Sequence, residues 1–132
     1  MVSPVEHNRA SYPDDNPKTV FGLKKPSMSS VPPTALLHLM KAFADGRAKY
    51  GLMNWREKTV SSTIYYDAAF RHMLAWYDGE RLADDSGVHH IGHAMACLAI
   101  ILDAEETGNL NDDRPTPGVF ADLVKEFTTK ET

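Results

Sequence analysis

From Leu36 onward, apolar residues fall three and four apart: Leu36, Leu39, Met40, Phe43 and Ala44. That spacing predicts an amphipathic helix beginning after Pro32-Pro33, where proline suits a first turn, and running to about Lys49. Gly51 is placed to cap its end. The stretch from Leu52 to Val60 (LMNWREKTV) lacks periodicity and reads as a loop with Trp55 as its large anchor. Ser61 and Ser62 are good N-caps for a second helix from about Thr63 to Asp78, stopped by Gly79. Ile64, Tyr65, Ala68, Ala69, Phe70, Met73, Leu74 and Trp76 make that helix apolar almost all round, so it is expected to be central. A third helix runs from about Val88 to Glu106, closed by Gly108. On it Gly92, Ala96 and Ala99 share a face that permits another helix to come close. After NLNDDRPTPG, Val119 to Phe127 predicts a short fourth helix, and no strand alternation stands out.

The short connection from Gly79 to Gly87 folds helices two and three into an antiparallel hairpin. Centred near Ala83, it sets Tyr77 beside His90 and His72 near Met95, with Glu80 facing His90 and His93. The expected fold is all-α: a small bundle around this hairpin whose core is completed by oligomerisation. Residues 1–32 are expected to be an extended Pro-rich arm, and residues 33–132 a single domain. Six of the eight prolines fall in the first 33 residues. Such an arm is either mobile or laid over the domain or a neighbouring subunit.

Composition narrows the function classes. The chain of 132 residues is 42% hydrophobic and 24% charged, with net charge −4 and a pI near 5.8. That is an ordinary globular composition with no basic footprint for a nucleic-acid polymer or a membrane surface. The single cysteine, Cys97, excludes an intramolecular disulfide and a cysteine-rich zinc module. No apolar run approaches the roughly 20 residues a bilayer needs, and no targeting signal opens the chain. A cytoplasmic protein is expected, in the host cytoplasm if the gene is a phage's.

The candidate chemistry lies between Arg71 and His93, which hold four of the six histidines and four acids. Glu80, Asp84 and Asp85 approach His90 and His93 across the hairpin. Carboxylates with a histidine or two suit Mg²⁺ or Mn²⁺ better than zinc or iron. A hard divalent ion of this kind most often serves phosphate chemistry, and Arg71, Lys49 and Lys25 would then take phosphate oxygens. The alternative is a solvated helix connection, in which Asp84-Asp85-Ser86-Gly87 only caps the third helix. Asp67 and Arg71 are also spaced for an i,i+4 ion pair. His38 is read as a packed or surface histidine, His89 and Asp78 as facing water, and Cys97, Met73 and Met95 as core.

Four stretches then follow one another in order: KPSMSSVPPTAL (Lys25 to Leu36), GRAKYGLMNWR (Gly46 to Arg56), YDAAFRHMLAWYDGE (Tyr66 to Glu80) and DSGVHHIGHA (Asp85 to Ala94). Together they resemble the dATP/dGTP diphosphohydrolase family of MazG-related, all-α nucleotide pyrophosphohydrolases. The resemblance implies hydrolysis of a purine deoxynucleoside triphosphate to the monophosphate and pyrophosphate with Mg²⁺ or Mn²⁺. It also implies a homo-oligomer, a dimer or tetramer, with sites built from more than one subunit. The stretches are most like the cyanophage members that serve 2-aminoadenine DNA, for which dGTP would yield dGMP as precursor. Carried onto this chain, Glu80, Asp84, Asp85, His90 and His93 are the metal candidates. Arg71, Lys49 and His72 would join Glu80 in catalysis. Lys25, Asn54, Trp55 and Asp67 would bind substrate, the amide and indole contacting the base. The ExxE and ExxD motifs of the wider superfamily are absent; Asp103-x-x-Glu106 is the nearest approach. GERLADDSG also stands where relatives often read GE-x-x-DPESG. Competing readings are a non-enzymatic helical assembly module and a His/carboxylate di-iron or zinc bundle.

Overall fold

The computed structural model describes residues 12–129, so the first 11 residues of the expected arm lie outside the described residues, as do the last three. The chain divides into two units, 1–37 and 38–132. In the first, a short helix, α1 (Pro17–Gly22), interrupts the stretch expected to be extended. Asn16 starts it: its side-chain oxygen accepts from the Lys18 backbone N–H at 2.8 Å. Lys24 lies over the Phe21 ring, 5.3 Å from its centroid. Helix α2 (Pro33–Tyr50) begins in this unit, with proline at its first position as the sequence led us to expect.

The second unit is helical, and the all-α expectation holds. A single 3₁₀ turn (Asn54–Arg56) follows α2, then α3 (Ser62–Tyr77), α4 (His90–Glu106) and α5 (Phe120–Phe127). Two strands the sequence did not predict, β1 (Val60–Ser61) and β2 (Leu110–Asn111), pair in parallel. Each is two residues long, too short for alternation to show. They tie the chain entering α3 to the chain leaving α4. The capping of α3 also differs from expectation. Ser61 makes no side-chain cap bond. Asp113, arriving from the far side of β2, accepts from the Thr63 N–H at 2.9 Å and from the Ser62 and Thr63 hydroxyls at 2.8 and 2.6 Å. A carboxylate suits this end of a helix, where N–H groups lack partners and the dipole is positive.

Helices α3 and α4 form the principal pair. Their connection is a tight antiparallel turn: Leu82 bridges His89, and the Ala83 N–H donates to the Val88 carbonyl at 2.9 Å. Gly87 takes φ +70° inside it, a conformation that suits glycine. The turn is centred between Asp85 and Ser86, not near Ala83. His72 meets His90 through a hydrogen bond and His93 through ring stacking.

The small face of α4 receives α2. A Cβ at Gly92 would lie 2.7 Å from the His38 carbonyl oxygen. This close approach lets Ala42, Val88 and Ala96 form a buried cluster, with Leu39 and Phe43 packed against it. The core is thus made chiefly of small side chains. Helix α3 departs most from expectation: it buries only Ser62 and Ala69, while Ile64, Phe70, Leu74, Trp76 and Tyr77 are exposed. Its apolar circumference exceeds what one chain covers.

The approach at Gly92 gives a measurable asymmetry. Gly92→Ala forces a methyl against backbone and should cost about 1–3 kcal/mol by urea denaturation. Gly46→Ala, within α2 and with nothing inside 4 Å, should instead gain up to about 1 kcal/mol from helix propensity.

Candidate functional site

The end of α3 and the start of α4 bring one carboxylate and three imidazoles together. Gly79, at φ +107°, lets the chain leave α3, and Glu80 follows it. Across the turn the His90 N–H donates to the Arg81 carbonyl at 3.0 Å. This fixes the first turn of α4 with His90 buried and Glu80 half exposed. The His90 Nε2 lies 2.5 Å from Glu80 Oε1, and its Nδ1 lies 2.9 Å from His72 Nδ1. His93, one turn on, stacks on the His72 ring with centroids 4.6 Å apart, and its Nε2 lies 2.7 Å from the Ser86 hydroxyl oxygen. Burial lowers the pKa values of His72 and His93, and neighbouring imidazoles lower them further. Neutral rings are therefore favoured.

A second polar group stands nearby in the same unit. The Lys49 ammonium sits between Asp45 (3.0 Å) and Asp85 (3.3 Å). Its hydrogen bonds to these two carboxylates raise its pKa, and in turn it lowers that of Asp85. Asp45 was legible as the i,i+4 partner of Lys49 but had not been singled out. Ser86 had been read only as part of a turn, yet it holds His93.

The other candidates fall as follows. Arg71 is exposed beside His72 and Cys97, whose pKa values both respond to its charge. Asp67 is exposed, and among the described residues no ion pair joins it to Arg71. Asp84 is exposed in the turn, and Asn54 is half-buried at the start of the 3₁₀ turn. Lys25 lies in the first unit, exposed, its N–H bonded to the Gly22 carbonyl. His89 does more than face water: its Nδ1 caps α4 by accepting from the Ile91 N–H at 2.9 Å. Its ring lies 5.1 Å from that of His38.

Trp55 is a core residue, 8% exposed, with its ring 5.7 Å from that of Phe43. Its indole N–H donates to Asp103 at 2.7 Å. The Arg56 guanidinium grips the same carboxylate through Nε (2.7 Å) and Nη2 (2.9 Å). Asp103, the nearest approach to a superfamily metal motif, is thus occupied in holding the loop after α2 against α4.

Donor occupancy also tests the fit to a divalent ion. Among the described residues, no three His, Cys, Asp or Glu side chains gather in a metal-holding arrangement. Both ring nitrogens of His90 are in hydrogen bonds, and Nε2 of His93 is on Ser86. These atoms of the expected set do not fit an ion as placed. Asp85 Oδ2 likewise accepts from Lys49 at 3.3 Å, which leaves Asp84 as the exposed carboxylate of the 84–85 turn with no hydrogen bond among the described residues; Mg²⁺ is commonly bound by one or two carboxylates together with substrate phosphates rather than in a closed protein cage.

The Asp103 network has a pH signature. Arg56, and then the Trp55 N–H, hold this carboxyl down to about 2 against an ordinary 3.8. A depressed carboxyl stabilises the fold above its unfolded pKa and loses that contribution as pH falls toward its folded one. Stability should therefore drop between about pH 4 and pH 2 in the parent. Asp103→Asn should flatten that limb and lower the melting midpoint at neutral pH, as read by circular dichroism.

Comparison with known proteins identifies the family. Residues 15–114 match the family model described as dATP/dGTP diphosphohydrolase, N-terminal, a span that takes in every candidate site residue. The chain is 29% identical over 103 residues to a protein of Salmonella phage PMBT28 named dATP/dGTP diphosphohydrolase. The match covers 75% of this chain and 35% of that protein, so the chain spans about a third of the length of this curated relative. No solved structure matches. Among the described residues no helix is long and apolar enough to cross a membrane. The chain belongs to the dATP/dGTP diphosphohydrolase N-terminal family.

Proposed function

We propose that this family member hydrolyses purine deoxynucleoside triphosphates, dGTP first and dATP second, to the monophosphate and pyrophosphate. The observation that carries the reading is the family match, which runs unbroken through the histidine–carboxylate hairpin. The site suits the chemistry. Arg71 is an exposed cation next to His72, able to take phosphate oxygens as charge spreads onto them in the transition state. Lys49 adds a second cation, already oriented by two carboxylates. A divalent ion, Mg²⁺ or Mn²⁺, would be held by Asp84 and Asp85 jointly with the triphosphate. Bound there, it would neutralise phosphate charge and acidify a water. The engaged imidazole nitrogens favour this reading over a di-iron or zinc bundle. In a phage setting, inside the host cytoplasm, the dGMP formed would supply a 2-aminoadenine nucleotide precursor.

The active species we propose is a homo-oligomer. Ile64 and Leu74 are each 63% exposed on α3, and Leu102 is 65% exposed on α4. Exposed apolar surface on paired helices marks an interface, and a second copy offers the same surface in return.

Each part has its own measurement. Incubation with a panel of deoxy- and ribonucleoside triphosphates, with and without Mn²⁺, and chromatographic identification of products should give dGMP and pyrophosphate from dGTP only with the ion. Preference for a pyrimidine, or release of triphosphate, would overturn the assignment. Sedimentation equilibrium should show a dimer or tetramer, and Leu74→Lys should shift it toward monomer; a monomeric parent would sink the assembly reading.

A further inference from the structure

The hydrogen bonds of the histidine cluster determine more than its shape. Two ring nitrogens 2.9 Å apart, His90 Nδ1 and His72 Nδ1, share one proton between them. The position of that proton follows from the other side of His90. A carboxylate accepts and does not donate, so Glu80 requires His90 to carry its proton on Nε2. A neutral His90 then offers a lone pair at Nδ1, and His72 must donate from its own Nδ1. The Nε2 of His72 is left bearing a lone pair, and among the described residues no hydrogen bond engages it.

The surroundings hold the arrangement in place. The His90 side chain is 7% exposed, so its two hydrogen bonds face little competition from water. His93 stacks on the His72 ring and is itself fixed by Ser86. Burial first, then His93, His90 and Arg71, disfavour a positive charge on His72, with Asp85 opposing them, and the net direction keeps a lone pair available.

We infer that Glu80 and His90 are positioning residues that lock the tautomer of His72, and that His72 Nε2 is the proton acceptor for the attacking water. The step balances. A water proton passes to His72 Nε2, and the water oxygen bonds to the α-phosphorus. The bond from that phosphorus to the bridging oxygen breaks, and pyrophosphate leaves with the electron pair. His72 then returns its proton to solvent. The acceptor role rests on the hydrolytic reading above; the tautomer does not. A carboxylate that orients one imidazole is a known device for presenting a base. Here a second imidazole extends the line by one member.

The test uses the full chain with ring-¹⁵N-labelled histidine, free of nucleotide, at about pH 8, above the ordinary histidine range. Ring nitrogen–hydrogen correlations should show His90 protonated on Nε2 and His72 on Nδ1. In Glu80→Ala, at an exposed position, His90 is released to donate from Nδ1, and a population of His72 protonated on Nε2 should appear. His72→Gln should lower kcat for dGTP by about 10²- to 10⁴-fold with KM little changed. Nε2 protonation of His72 in the parent, or an unchanged tautomer in Glu80→Ala, overturns the lock. The expected tautomer with full kcat in His72→Gln overturns the acceptor role. The expected tautomer in a chain that hydrolyses no nucleotide removes the hydrolytic reading and the acceptor role with it, and leaves the lock standing.

Discussion

The hydrogen bond from the His90 N–H to the Arg81 carbonyl sets the site. With the Leu82–His89 bridge beside it, this contact fixes where α4 begins relative to the end of α3. Successive residues of a helix project about 100° apart. Starting α4 one residue earlier or later would therefore swing His90 away from both Glu80 and His72. The turn tolerates this closure because Gly79 and Gly87 take positive φ on either side of Glu80 and Asp85. On the opposite face of the same helix, Gly92 lets the backbone at His38 come within van der Waals distance and seat α2. One short segment of α4 thus serves the chemistry on one side and the core on the other.

Hydrophobic spacing revealed the helices because each obeys a local rule. The ends of α2 and α3, and the start of α5, fall within a residue or two of expectation for that reason. Whatever depends on residues some 50 positions apart stayed hidden. Asp113 caps α3 in place of the adjacent serines, and Asp103 binds Trp55 and Arg56. Neither partnership has a spacing that a local pattern could display. Trp55 illustrates the consequence. An aromatic in a polar loop suggests a stacking face for a base, but its indole proton goes to Asp103, a partner that becomes visible only once α4 is placed.

Within the site, the sequence identified the participants better than their roles. Glu80 was expected to face both His90 and His93, and it reaches His90 alone. The later turn centre brings Glu80 level with the first turn of α4, where His90 stands. The expected ligand set of Glu80, Asp84, Asp85, His90 and His93 contains atoms already committed to hydrogen bonds. Ser86, Asp45 and Arg81 contribute a hydroxyl, a carboxylate and a backbone carbonyl that settle those commitments.

Charge balance bears on the proposed triphosphate substrate. Lys49 is held between Asp45 and Asp85, so its charge is already more than matched, and Asp84 and Glu80 add to the negative side. Arg71 and Arg81 stand exposed in this region and form no ion pair among the described residues. The carboxylates of Asp45, Glu80, Asp84 and Asp85 still outnumber these two cations and Lys49, a largely exposed excess that salt screens. Under the proposed function a divalent ion arriving with the triphosphate would offset that excess, and the exposed carboxylates of the 84–85 turn are oxygens a hard cation favours. The same excess of carboxylates would discriminate against an anion lacking that counter-charge. On that proposal, capture of the triphosphate would be coupled to the presence of the ion.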